Sequence, residues 1–295
     1  MHFACTGIVR RIAIPCVAIG IAGCATTPAH HTWEARLRGE AIVLLGELHD
    51  NPIHHQQRIE VLRRAFAAGW RPAIAMEQFD RERQADIERA RREQPRDARH
   101  VINLAAPAKG ARGGNWNWDY YKPFVELALE YDVPLIAANL SNADTARVVR
   151  EGYAAVFDAG TIQSLKLADA IPAALQTLQE REIDVGHCNA LPAKTLPAMA
   201  RGQFARDAVM ASIVSGHAAR GVVLIAGNGH VRRDIGVPYW LQRLSPALGS
   251  RTWAVGYVED GGAAAREQAF DIVVRTVAAA RTDPCIEFRQ RIQRH

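Results

Sequence analysis

Residues 41–55 read AIVLLGELHDNPIHH, and this stretch decides the fold. An uninterrupted apolar run, Ala41 to Leu45, stops at Gly46, and Glu47, His49, Asp50, His54 and His55 follow within nine positions. Such a run is the pattern of a strand buried on both faces, as in parallel sheets covered by helices. The polar cluster then lies just past the strand's carboxyl end, where open α/β sheets bind ligands. A plainer reading makes the cluster a solvated turn in which Asp50 or Asn51 caps the next helix.

Outward from this stretch the chain repeats a strand-then-helix order. Ile59, Leu62, Phe66 and Ala67 recur at helical spacing over 54–69, with Gly69 and Pro72 ending the helix. Apolar runs at Ala73–Met76, Pro134–Ala138, Val222–Ala226, Thr252–Val258 and Phe270–Ala278 complete about six strands. The charged segment after Glu77 predicts a solvated helix, or two broken at Pro95. Residues 105–119 form a loop ending in the aromatic cluster Trp116, Trp118, Tyr120 and Tyr121, and a helix is expected from about Pro123 to Tyr131. Between 141 and 217 no strand is convincing. The expected fold is therefore α/β: a mostly parallel central sheet of about six strands flanked by helices, with an inserted helical subdomain. The boundaries are 39–140 and 218–281 for the core, 141–217 for the insertion and 282–295 for a C-terminal tail.

With 48% apolar and 23% charged residues the chain is an ordinary globular one. Its net charge is +5, but 36 Lys+Arg stand interleaved with 31 Asp+Glu and no basic block with aromatics appears, which argues against nucleic acid as a partner. Arg10 and Arg11 precede an apolar stretch, Ile12 to Ala22, too short to span a bilayer and suited to a signal-peptide core. It ends in Ile21-Ala22-Gly23-Cys24, which resembles a bacterial lipobox. That resemblance implies a signal peptide at 1–23, acylation of Cys24, a tether over 24–38 and a lipid-anchored place in the cell envelope. Cleavage there removes two arginines, leaving a net charge of +3. Cys188 and Cys285 then remain, and in an oxidising compartment they could pair.

One short motif occurs twice. Gly46-Glu47-Leu48-His49 and Gly227-Asn228-Gly229-His230 are both G-x-x-H, each directly after an apolar strand. In a parallel sheet both exits fall on one edge, so the two histidines can share a crevice. Glu77 and Asn139 end two further strands, and a glutamate in that position calls for a cation, an arginine or a ligand amine. Arg206 and Asp207 lie on an expected helix over 203–215; Arg206 could neutralise Glu77 or clamp a carboxylate. His187 sits in a loop next to Cys188, and it is read with Asp50, His55, Asn139 and Asp207 as a residue of the pocket wall. No G-x-S-x-G, G-x-G-x-x-G or P-loop pattern is present.

The phrases GELHDNPIHHQQ, MEQF, WNWDYYKPF, IAANLS, VGHCNALP, QFARDAVMA and LIAGNGHVRRDIGVPYWL, in this order, resemble the ChaN family of haem-binding bacterial lipoproteins, within the TIKI, TraB and erythromycin-esterase-like superfamily. The likeness runs from about Ala41 to Val274. It implies haem as cofactor, a tyrosine as iron ligand and a homodimer holding the haem. Tyr239, followed by Trp240 and near Arg232 and Arg233 for the propionates, is the first candidate, with Tyr120 and Tyr121 as alternatives. In the wider superfamily the pattern falls on Glu47, His49, Glu77, Arg206 and His230 as catalytic residues. There Glu47, His49, Glu77 and His230 would hold a divalent ion such as Mn, Fe or Zn, and the chain would be a metal-dependent hydrolase.

Overall fold

The computed structural model describes residues 1–2, 33–107, 116–261, 268–283 and 285–286. Cys24 and the expected signal peptide lie outside the described residues. Strand β1 (Ile42–Leu45) is followed by helix α1 (Pro52–Ala67), which Asn51 caps by accepting from the Ile53 and His54 amides. Strand β2 (Ala73–Asp80) leads to α2 (Gln84–Glu93), α3 (Ala98–Ala105) and α4 (Trp118–Glu130). Then come β3 (Leu135–Asn139), α5 (Asn142–Glu151), α6 (Ala159–Ser164), α7 (Ala173–Gly186) and α8 (Leu196–Ser215). The chain continues through β4 (Val222–Ile225), α9 (Asn228–Val231), α10 (Val237–Leu244), α11 (Pro246–Gly249), β5 (Thr252–Glu259) and β6 (Ile272–Thr276).

The six strands form one sheet in the order β3-β2-β4-β1-β5-β6, every neighbouring pair parallel. This is the expected architecture, for the expected reason. All four residues of β1 and of β4 are buried, because helices cover both faces. One cover contains α1 and α4, whose Leu62, Phe66, Phe124 and Ala128 meet Val43, Leu45 and Met76. On the other side α8 and α10 bring Phe204, Ala208, Met210 and Trp240 against Ile42, Leu44 and Leu224.

Two boundaries differ from expectation. Helix α4 begins at Trp118, capped by Asn117, and passes straight through Pro123. That proline is the sixth residue of the helix, close enough to its start for little hydrogen bonding to be lost. Strand β2 runs on past Met76 to Asp80 with a shift of register against β3, so Glu77 lies within the strand rather than after it. Bulges of this kind re-aim side chains next to functional sites.

Cys188 and Cys285 form a disulfide that closes a sequence separation of 97 residues. It ties the end of α7 to the segment after β6. Replacing both cysteines by serine is expected to lower unfolding free energy by about 2–4 kcal/mol in urea titrations, since the unfolded chain regains the freedom that the cross-link removes. An unchanged denaturation midpoint would show that the cross-link does not constrain the unfolding unit.

Candidate functional site

The site grows from the register of β1 and β4. Leu45 pairs with Ile225, so Gly46-Glu47 and Ala226-Gly227 leave the sheet side by side, and the Asn228 amide donates to Glu47 O at 2.9 Å. The two G-x-x-H motifs are thus packed on each other. A Cβ on Gly227 would stand 2.8 Å from the His49 ring, and one on Gly46 would stand 2.2 Å from Asn228 Oδ1. Each glycine is needed because the other motif comes so close. Gly227→Ala is therefore expected to push the half-exposed His49 ring aside, at a cost of about 1–3 kcal/mol for overpacking. A wild-type NMR shift for the His49 ring protons in a folded Gly227→Ala protein would refute this.

Around His49 the contacts are polar beneath and aromatic above. Glu47 is buried, and its Oε1 lies 2.6 Å from His49 Nδ1 and accepts a hydrogen bond from the Tyr121 hydroxyl at 3.1 Å. His55 stands behind it, with Nε2 3.5 Å from Glu47 Oε2 and donating to His49 O at 3.0 Å, while Arg58 donates to its Nδ1 at 2.9 Å. Trp116 meets the His49 ring edge-on at 4.8 Å between centroids, and Tyr120 stacks on His55 at 4.6 Å. Burial would raise the Glu47 carboxyl, but the His49 hydrogen bond and the Arg58 charge hold it below its ordinary value. Desolvation of its inner edge works against charge on His49, yet Glu47 and Glu77 raise its pKa. Burial and the Glu47 charge push the Tyr121 phenol far up, so it stays a neutral donor.

On the other side of Gly227 lies a second cluster. Glu77 accepts from the Gly227 amide at 2.8 Å and lies 3.4 Å from His230 Nε2; Asp207 Oδ1 lies 2.6 Å from His230 Nδ1. Gln203, one turn before Asp207 on α8, reaches His230 Nδ1 at 3.1 Å. All three ionisable groups are buried. Burial disfavours the imidazolium, but two flanking carboxylates outweigh it and raise His230 to about 10. Burial pushes Asp207 up, with His230 pulling the other way, whereas Glu77 is held well below its ordinary value. The two carboxylates thus move in opposite directions: Asp207 has the shorter contact to His230, and Glu77 has the Gly227 amide as a second donor.

Farther along the edge, Arg206 donates to Asn139 Oδ1 at 3.3 Å, to Thr145 Oγ1 at 3.1 Å and to Asn142 Oδ1. Asn139 in turn donates to Asp80 at 3.1 Å. Arg206 therefore does not bind Glu77 directly. Asp50 is exposed and paired with Arg281 at 2.7 Å. His187 stands at the C-terminal end of α7 beside the disulfide, its Nδ1 bonded to Ile183 O at 2.7 Å. Arg232 is engaged by Asp234 and Glu182, Arg233 by Asp271, and the Tyr239 hydroxyl accepts from Arg243.

Glu47, His49, Glu77 and His230 are thus brought to one edge, coupled in pairs to neighbours. Among the described residues no group of three or more His, Cys, Asp and Glu side chains is arranged to hold a metal ion. Glu47 Oε2 and Asp207 Oδ2 are nonetheless buried without a hydrogen bond, an unusual state for carboxylate oxygens. Sequence reasoning missed Gln203 and Arg58. Both sit four residues from a chemistry-bearing partner, Gln203 from Asp207 and His54 from Arg58, the spacing that shares one helix face.

Residues 33–241 match the model of a family described as haem-binding uptake, Tiki superfamily, ChaN. Among solved structures, ChaN of Campylobacter jejuni with cofacially bound haem is 18% identical, with a TM-score of 0.63, covering 82% of this chain and 89% of that one. An erythromycin esterase, EreC, mutated and in its open conformation, is 13% identical with a TM-score of 0.45, covering 76% and 72%. No match was found among curated proteins.

Proposed function

The chain belongs to the family described as haem-binding uptake, Tiki superfamily, ChaN, and from that premise we propose that it binds haem in the crevice where His49 faces Trp116. The observation that carries the reading is the state of His49. Its side chain is 52% exposed and its Nδ1 is fixed on the buried Glu47 carboxylate, which leaves Nε2 as the nitrogen not engaged in that bond. A metal-bound imidazole is held in this way, one nitrogen on a carboxylate that sets the ring's orientation and basicity. Trp116 and Tyr120 add the flat aromatic surface that a porphyrin needs. When bound, haem would supply an iron centre whose chemistry is tuned by the side chains that hold it. His49 and Tyr120 are the side chains here that would face it. Tyr239 is a weaker choice, since its hydroxyl is taken by Arg243 and its ring by Trp240.

The remaining parts of the reading rest on the sequence. The lipobox ending at Cys24 supports a lipid anchor in the bacterial envelope, and the family resemblance supports a role in haem or iron uptake and a homodimer as the bound form. Among the described residues no helix is long and apolar enough to cross a membrane.

Hemin titration tests the proposal. The wild-type protein is expected to shift the Soret band, His49→Ala to abolish the shift, and Glu47→Gln to weaken binding by roughly 10–100-fold, the usual loss when a ligand's carboxylate partner is removed. Identical titrations for all three proteins would remove His49 from the site.

A second reading, a hydrolase, is supported by the Glu47–His49 pair, which has the form of a base oriented by a carboxylate. Ester and peptide substrates, assayed with and without added Mn, Fe or Zn, would reveal it. Turnover that survives His49→Ala would count against that assignment.

A further inference from the structure

Arg206 is a guanidinium on the inner side of α8 whose acceptors are all neutral: Asn139, Asn142 and Thr145. Burial lowers its pKa, and Glu77, Asp80 and Asp207 act on it only through their charge. Each of these is engaged elsewhere, Glu77 with His230 and the Gly227 amide, Asp207 with His230, and Asp80 with Asn139. A guanidinium with no bonded anion keeps its capacity for a bidentate, charge-assisted pair with a carboxylate. Arg206 also opens to the surface, on a groove between α5 and α8 lined by Asn142, Thr145, Ala146, Val149, Arg150 and Met199.

Other arginines near this edge do not offer the same. Arg150, on the same groove, is paired with Glu151 at 3.5 Å, Arg232, Arg233 and Arg281 hold carboxylates already, and Arg58 is fully buried on Leu45 O and His55. Position matters too. In the sheet order, β1 with His49 and β3 with Asn139 are separated by β4 and β2. Three strand spacings of about 4.8 Å put these exits roughly 14 Å apart, a span suited to a large planar ligand with an acidic periphery.

We propose that Arg206, cradled by Asn139, Asn142 and Thr145, is the anchor for a carboxylate of the bound ligand; on the haem reading, which this inference presupposes, that group is a propionate. Arg206 thereby fixes the orientation of the ligand along this edge of the sheet.

Hemin and hemin dimethyl ester, whose propionates carry no charge, separate this inference from the reading it rests on. Wild-type protein is expected to bind hemin roughly 10–100-fold more tightly than the ester, the worth of a charge-assisted hydrogen-bond pair. Arg206→Gln should lose that preference by weakening hemin alone, and Arg206→Lys should recover part of it. Should Arg206→Gln fail to fold, Arg206→Lys carries the comparison, and its preference must be smaller than that of wild type. Equal affinity of wild-type protein for hemin and ester, or an equal loss of both in the Arg206 variants, would overturn the anchor and leave haem binding intact. Failure of wild-type protein to bind either compound would overturn the haem reading itself, and the anchor with it.

Discussion

His230→Ala is expected to destabilise the protein by about 3–5 kcal/mol, the cost of removing one partner from a buried ion pair. The imidazole lies between Glu77 at 3.4 Å and Asp207 at 2.6 Å, and all three side chains are buried. Its removal leaves two carboxylates facing each other in a dry place, with only the Gly227 amide donating to Glu77. Urea unfolding measures the loss. Neutralising the acids in the same protein, as Glu77→Gln with Asp207→Asn, should recover much of it, because the penalty is uncompensated charge rather than a missing ring. A loss below about 1 kcal/mol, or one the acid substitutions deepen, would mean the triad is not the buried pair described. The sign of the pH dependence follows. His230 titrates near 10 in the folded state and near 6.5 when unfolded. Its stabilisation is complete below about pH 6.5 and lost as pH rises through about 10.

Acid should unfold the protein earlier than its carboxylates alone would dictate. His54 and His55 are buried, and burial together with the Arg58 charge pulls both down to about 4. Each is held neutral by its bonds: Leu48 N donates to His54 Nδ1 at 3.0 Å, and His54 Nε2 bonds Thr276 Oγ1 at 2.8 Å. Between about pH 6.5 and 4 the unfolded chain binds protons at these sites that the folded chain does not. Stability therefore falls with pH across that window, by up to about 3 kcal/mol for each histidine. Urea midpoints at pH 7.5, 5.5 and 4.5 test this, with His54→Gln as the comparison. A His54→Gln variant with the same slope as wild type would refute it. Glu47 loses its stabilisation in more acid solution, whereas Asp207, raised to about 6, acts in this window with the opposite sign, so the difference in slope between wild type and His54→Gln is the quantity that decides.

Some of the site was legible before any coordinates. The five-residue apolar run before Gly46 and the four apolar residues of β4 could be buried on both faces only in a parallel sheet under helices. From that sheet, two G-x-x-H exits on one edge follow directly. The aromatic cluster from Trp116 to Tyr121 was visible as composition, but its contact with His49 was not, since it depends on how α4 crosses β1. The Arg232 and Arg233 pair shows the limit of adjacency: near Tyr239 in sequence, both arginines hold carboxylates that come from other elements.

The sequence by itself determined which side chains leave the sheet at its carboxyl edge, because strand burial and the parallel hand are local and topological facts carried by hydrophobic pattern. Only the tertiary structure decided how those side chains pair: His49 on Glu47, His230 between Glu77 and Asp207, and Arg206 on three neutral acceptors. Pairing at hydrogen-bond range is set by strand order, by a two-residue shift of β2 against β3 and by the absence of a Cβ at Gly46 and Gly227. Displacements of an ångström or two separate these partners, and no pattern of residue types records distances that small.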